Sequence, residues 1–144
     1  MMARRAPDGC LQYFTENQGA LASFNFDKSS PMAPNQDYSI CFKSSPDICA
    51  VALQADIFNF GEDPFSGTND DHQPFCLGGF WGAFGALGEN GTDLGKDRFC
   101  GKDFGDANGK MLSFQKPFVF RVKSGPKPLQ GSSGFLMIYN LIQC

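Results

Sequence analysis

The stretch Phe118-Val119-Phe120-Arg121-Val122-Lys123 decides the fold class, because bulky apolar residues recur in it at every second position. Successive side chains of a strand point to opposite faces, so Phe118, Phe120 and Val122 would share one face of a sheet. After a Gly-Pro-Lys-Pro loop at residues 125–128, the run Gly134-Phe-Leu-Met-Ile-Tyr139 places apolar residues on both of its faces. This run predicts a strand in the middle of a sandwich.

Short apolar runs broken by turn residues continue towards the N-terminus. Residues 11–15 and 20–26 flank the turn signal Asn17-Gln18-Gly19, and they predict a first hairpin. Residues 38–42 and 48–55 flank Ser44-Ser-Pro-Asp47, and they predict a second hairpin. Helical periodicity is scarce, so the chain is predicted to be all-β.

Length, glycine content and charge limit the function classes. The 144 residues suit one domain, and residues 61–110 hold 12 of the 17 glycines, which predicts a long Gly-rich loop region. Twelve basic and fifteen acidic residues give a net charge of -3 without a basic stripe, which argues against a nucleic acid partner. No run approaches the roughly 18 apolar residues that span a bilayer, so membrane insertion is not expected.

Six cysteines are spread along the whole chain. An even number at such spacing predicts three disulfides and therefore a secreted, extracellular protein. Structural zinc would need close cysteine pairs and histidines, whereas the nearest two cysteines are separated by seven residues and His72 is the only histidine. We therefore expect disulfides and no zinc.

Several segments, taken in order, resemble CUB-like domains of secreted arthropod proteins. The opening of that family is resembled by Cys10-Leu-Gln-Tyr-Phe-Thr-Glu16, Gly19-Ala-Leu-Ala-Ser-Phe-Asn-Phe26 and Asn35-Gln-Asp-Tyr-Ser-Ile-Cys41. Its short Cys-Gly motif and last two strands are resembled by Arg98-Phe-Cys-Gly101, Pro117-Phe-Val-Phe-Arg-Val122 and Gly134-Phe-Leu-Met-Ile-Tyr139, which is followed by Cys144. The resemblance covers residues 10–144 and leaves residues 1–9 as an N-terminal extension.

The resemblance implies a fold and a general role. It implies an all-β, CUB-like antiparallel β-sandwich of jelly-roll type, stabilised by disulfides that include Cys76 with Cys100. Such domains serve secreted proteins as recognition or assembly modules, and catalysis is not a property of the fold. Many CUB domains also bind calcium through an Asp shortly after the family's third cysteine, but Leu77-Gly-Gly-Phe80 follows Cys76 here. This departure counts against calcium.

We consider two arrangements of the remaining cysteines, among the fifteen pairings that six cysteines allow. In the first arrangement, Cys41 bonds to Cys49 across the second hairpin and Cys10 bonds to Cys144. In the second, Cys10 bonds to Cys41 and Cys49 bonds to Cys144. The second gains support because Cys41 lies on the opposite face of its strand from Ile40. Both arrangements stay open at this point.

Acidic residues near the Gly-rich region are weak candidates for a calcium site. They are Asp56, Glu62, Asp63, Asp70 and Asp71. Calcium takes six to eight oxygen ligands, but the spacing of an EF-hand is absent. A solvated acidic loop is the simpler interpretation, so no cofactor is predicted with any firmness.

The chain lacks the groups of a nucleophilic enzyme but carries one modification motif. A nucleophile needs a neighbouring base, and with oxidised cysteines His72 would have no thiol to activate. We therefore predict no enzymatic activity and no catalytic residue. Asn90-Gly91-Thr92 is an N-glycosylation sequon in a polar loop.

The uncharged stretch at residues 77–87 is the best candidate contact surface, with Phe80, Trp81 and Phe84 as its anchors. The alternative is a buried strand, and the exposure of Trp81 decides between them. The first hypothesis is an extracellular interaction or structural module that self-associates in a matrix or filament. The second is a monomeric secreted binder of a protein or glycan, assisted by calcium, and the third is a piece of a larger secreted enzyme.

Overall fold

The computed structural model describes residues 10–23, 35–60, 76, 79–83, 85–102, 104–125 and 134–144. These residues form strands and no helix, which confirms the all-β prediction. The strands are β1 (Cys10–Phe14), β2 (Gln18–Ala22), β3 (Asp37–Phe42), β4 (Ile48–Asn59), β5 (Gly79–Gly82), β6 (Arg98–Phe99), β7 (Lys110–Ser113), β8 (Val119–Ser124) and β9 (Gly134–Gln143).

The strands form two sheets that pack face to face. One sheet has the order β1-β3-β8-β5-β6 and the other has the order β2-β9-β4-β7. All pairs are antiparallel except β1 with β3, which run parallel. The predicted β-sandwich is therefore confirmed, with one parallel pair at the edge of the five-stranded sheet.

Both predicted hairpins are wrong. β1 and β2 belong to different sheets, and so do β3 and β4, although short polar segments connect each pair. Ile40 on β3 and Leu53 on β4 are both buried in the same core between the sheets. The connection at residues 43–47 therefore crosses between layers that lie about 10 Å apart. Its turn residues look the same in sequence as those of a hairpin.

The core between the sheets is rich in aromatic rings. The Trp81 ring on β5 stacks on Phe120 of its own sheet at 5.3 Å between centroids and meets Phe135 of the other sheet edge-on at 5.3 Å. A second contact between the layers joins Phe42 and Tyr139, whose centroids are 4.8 Å apart. Edge-on and offset ring pairs of this kind contribute beyond the area that they bury.

The last strand is central to its sheet, as predicted. β9 lies between β2 and β4, and its pairing with β4 extends from Ile48 opposite Gln143 to Asn59 opposite Gly134. Its inward residues are buried, but the outward side chain of Ile138 is 44% exposed. The second apolar face of β9 is therefore a surface, and only the first belongs to the core.

The disulfides follow the second arrangement. Cys10 bonds to Cys41 between neighbouring strands β1 and β3, and Cys49 bonds to Cys144 where the start of β4 meets the end of β9. The arrangement that joined Cys41 to Cys49 and Cys10 to Cys144 is wrong, because it depended on a hairpin that the chain does not form. A third bond joins Cys76, three residues before β5, to Cys100 after β6.

Candidate interaction surfaces

Trp81 belongs to the core and is not a surface anchor. Its side chain is 0% exposed and is enclosed by the rings of both sheets. The prediction of a contact surface at residues 77–87 is therefore wrong for Trp81. Phe80 points to the other side of β5, is partly exposed and carries the Arg98 guanidinium 5.2 Å from its ring centroid. Phe84 lies outside the described residues.

The described residues do not form a metal site. Asp56 is exposed at a bulge of β4 and lines a depression that also contains Asp106, Lys96 and Lys102, so two lysines balance its two carboxylates. Where the structure describes the chain, no three His, Cys, Asp or Glu side chains are grouped. The other calcium candidates lie outside the described residues: Glu62, Asp63, Asp70 and Asp71.

The glycosylation motif is at the surface. Asn90 is exposed in a turn, and its side-chain oxygen Oδ1 accepts a hydrogen bond from the backbone N–H of Thr92 at 3.1 Å. A glycan at this position would extend into solvent, so glycosylation of Asn90 stays a prediction. His72 lies outside the described residues.

The outward side of the four-stranded sheet is aliphatic. We call it the outer aliphatic face; its apolar residues are Ala20, Ala22, Ala52, Ile57, Leu112, Leu136, Ile138 and Ile142, and its polar ones are Gln18, Gln54 and Asn140. Cross-strand pairing places them in rows, such as Ala20, Ile138 and Gln54 across three strands. Its charged neighbours are Asp56 at the bulge and Lys110, which forms an ion pair with Glu89 at 2.9 Å.

A groove crosses the outward side of the other sheet. We call it the basic groove; its volume is about 530 Å³, and its lining includes Ser39, Phe80, Gly82, Asp97, Arg98, Lys116, Pro117, Val119 and Arg121. Strand register places Ser39, Arg121, Gly82 and Arg98 side by side on four adjacent strands. Gly82 has no side chain, and the Phe80 ring packs over it, 3.3 Å from the position that a Cβ would take.

Arg121 in the groove is fixed by Asp37. Its Nε donates to Oδ1 at 2.9 Å and its Nη2 to Oδ2 at 2.6 Å, in the bidentate geometry that carboxylates prefer. These hydrogen bonds, together with the positive charges of Arg121 and Lys123, hold the pKa of Asp37 below its ordinary value, although slight burial opposes the shift. The same carboxylate raises the pKa of Arg121. Both groups are therefore charged at neutral pH.

The groove was not predicted from the sequence. Its basic residues come from β6, from the β7–β8 connection and from β8, so they form no run along the chain. The alternation of Arg121 and Lys123 with Phe120 and Val122 was the available signal, because it places both cations on the outward side of one strand.

Comparison with known proteins supports the fold. The rat MASP-1 CUB1-EGF-CUB2 structure has a TM-score of 0.59 and 16% identity, with 90% of this chain and 42% of that one covered. The human MASP-1/3 CUB1-EGF-CUB2 structure has a TM-score of 0.56 and 16% identity, with 92% of this chain and 42% of that one covered. The structure of the MASP-1 CUB2 domain bound to Ca²⁺ has a TM-score of 0.50 and 16% identity, with 91% of this chain and 98% of that one covered. The chain thus spans well under half of the two multidomain fragments.

The family follows from the sequence match. No curated protein matches the chain. The family model described as "Animal CUB domain" matches residues 7–142, nearly the whole chain. That family is broader than arthropod proteins, so the narrower resemblance stays a prediction. None of the described residues forms a helix that could cross a membrane. The chain belongs to the animal CUB domain family, whose domains are extracellular, non-catalytic modules of protein interaction.

Proposed function

We propose that this chain is a secreted, non-catalytic interaction module that self-associates through the outer aliphatic face. The observation that carries the proposal is the exposure of aliphatic side chains in the middle of a sheet, with Ile138 44% exposed and Ile57 and Ile142 both 39% exposed. A contiguous apolar surface of this kind is typical of an association site.

A second copy suits this face because the face is almost uncharged. The chain carries a net charge of -3, and a nearly uncharged face lets two copies approach each other with little repulsion between opposed charges. Gln54 and Asn140 have amide groups that both donate and accept, so they can pair with the same groups of an identical face. A twofold contact between identical patches closes the assembly at a dimer.

The size of the face limits the expected affinity. Four strands about 4.8 Å apart and four outward residues along β9 give roughly 500 Å² of projected area. A stable complex buries about 800 Å² on each partner, so the face predicts a weak and reversible dimer.

Sedimentation equilibrium of the full chain tests the proposal. We expect a molar mass that rises with concentration towards twice the 15.7 kDa of the chain. Ile138→Glu places a charge in the middle of the face and should give a monomer, whereas Leu11→Glu adds the same charge at a position that is 64% exposed elsewhere. A monomeric wild type, or equal masses for both variants, would refute self-association through this face.

A monomeric secreted binder of a protein or glycan, assisted by calcium, is the second candidate. It is supported by the structural neighbour MASP-1 CUB2, whose solved structure has Ca²⁺ bound. The described residues contain no cluster of three His, Cys, Asp or Glu side chains, so this candidate depends on acidic residues outside them. Calcium binding to the folded state should raise the melting temperature, and chelator should reverse the rise. An unchanged melting temperature would remove the role of calcium.

A further inference from the structure

We propose that the basic groove binds an extended, acidic segment of a protein partner. The groove is on the five-stranded sheet and the outer aliphatic face is on the other, so the two surfaces can be occupied at the same time. The proposal therefore goes beyond self-association and does not depend on it.

The geometry of the groove fits two carboxylates. Arg98 and Arg121 lie on strands on either side of Gly82, so their Cα atoms are about 10 Å apart. Alternate side chains of an extended ligand lie about 7 Å apart, and the length of the arginine side chains covers the difference. The Phe80 ring packs over Gly82, so a ligand would contact this ring rather than the backbone of β5.

The charges of the groove favour an anion. Arg98, Lys116, Arg121 and the neighbouring Lys123 face two carboxylates, those of Asp37 and Asp97, whereas the whole chain is acidic with a net charge of -3. Two of the five donors of Arg121 are used by Asp37, which leaves three for a ligand. Lys116 donates to the backbone oxygen of Ser45 at 3.0 Å, and an ammonium group has two further donors.

The arginines are already ordered before a ligand binds. Asp37 fixes Arg121 through two hydrogen bonds, and the Phe80 ring supports Arg98 through a cation–π contact at 5.2 Å. A side chain that is already held in place loses less entropy when it binds a carboxylate. The ordered arginines therefore favour selective binding of a carboxylate in addition to general electrostatic attraction of anions.

The apolar lining favours a protein over a sulfated glycan. Phe80 and Pro117 line the groove, and Val119 is 39% exposed beside them, so an aliphatic side chain between two carboxylates would bury apolar surface there. A sulfated glycan gains little from these apolar contacts. These observations select an acidic segment with an apolar residue between its carboxylates.

Fluorescence anisotropy with a labelled peptide tests the proposal. The probe has the core Asp-Leu-Glu between Gly-Ser flanks, and the matched probe has Asn-Leu-Gln. The assay uses the full chain with Ile138→Glu, so that failure of self-association does not affect the result. Arg98→Gln removes one cation, and Gly82→Val adds a side chain that would displace the Phe80 ring from the groove. Lys102→Gln removes the same charge as Arg98→Gln from an exposed position outside the groove.

We expect the acidic probe to bind and the amide probe not to bind. Arg98→Gln and Gly82→Val should each weaken binding about tenfold, and Lys102→Gln should change it less than about twofold. Equal binding of both probes, or equal weakening by Arg98→Gln and Lys102→Gln, would overturn the proposal. So would a heparin oligosaccharide that binds the groove while the acidic probe does not. The fluorescence of Trp81 in each variant verifies that the core is intact.

Discussion

Removing the disulfide between Cys49 and Cys144 tests how much the covalent link from β4 to the end of β9 stabilises the sandwich. The bond joins residues 95 apart in sequence at the point where β4 and β9 begin and end their pairing, with 5.2 Å between the Cα atoms. The substitution of both cysteines by alanine leaves the strand pairing intact and opens the largest loop of the chain. Its main expected effect is therefore on the entropy of the unfolded state.

The expected loss in the free energy of unfolding depends on the length of the loop that this bond closes. The bond from Cys76 to Cys100 spans 24 residues inside the larger loop, so the effective loop closed by Cys49 and Cys144 is about 71 residues. In the chain-entropy model, closing a loop of that length contributes about 4 kcal/mol to the free energy of unfolding. Domains are stable by about 5 to 15 kcal/mol, so the variant should stay folded at 25 °C with a much reduced margin.

Urea unfolding measures the loss, with the fluorescence of the single tryptophan, Trp81, reporting on the core. A loss under about 1 kcal/mol would refute the loop argument. Thiol titration of the same variant tests the pairing, because the remaining four cysteines should all be bonded. The rejected arrangement would instead leave the former partners of Cys49 and Cys144 as free thiols, at Cys41 and Cys10.

Other substitutions give further tests by thermal or urea unfolding. Gly79 has a φ of 124°, and a Cβ there would lie 2.5 Å from the backbone oxygen of Lys123, so Gly79→Ala should cost about 2 kcal/mol or more. Gly82→Ala should cost less than about 1 kcal/mol, because its Cβ would meet only the yielding Phe80 ring at 3.3 Å and Arg121 Cβ at 3.6 Å; equal losses at the two glycines would contradict this. Trp81→Ala should cost about 4 kcal/mol, and a loss under 2 kcal/mol would contradict its position in the core. The Asp106 carboxylate accepts from the backbone N–H groups of Glu89 at 2.9 Å, Asn108 at 2.8 Å and Lys110 at 3.1 Å. These bonds lower its pKa from the ordinary 3.8, so they stabilise the folded state above that pH and lose this effect as the pH falls through the lowered pKa. Asp106→Asn should therefore cost about 1 kcal/mol at pH 7 and progressively less as the pH falls below 3.8, whereas a cost independent of pH would contradict this reasoning.

The strands could be predicted from the sequence, but their partners could not. Alternation at Phe118, Phe120 and Val122 reports which side chains face a core, and the structure buries all three. It carries no information on which strand lies alongside, because hairpins and crossings between layers both use short polar turns. The segment 43–47 illustrates this, since its turn residues connect two sheets.

The surfaces were harder to predict than the core. Trp81 was a candidate anchor because an uncharged run gives no sign of which side faces solvent. The outer aliphatic face was not predicted for a different reason. Apolar residues on both faces of β9 led to the prediction that both faces are buried. Only the strand order shows that one side of β9 is left uncovered by the rest of the described chain.

Methyl NMR across a dilution series tests self-association most directly, because the five isoleucines divide into two sets. Ile57, Ile138 and Ile142 lie on the outer aliphatic face, whereas Ile40 and Ile48 are buried in the core. If copies bind through this face, the methyl signals of the first set shift with concentration and those of the second set do not. Signals of Ile57, Ile138 and Ile142 that stay fixed from dilute to concentrated protein would contradict the account.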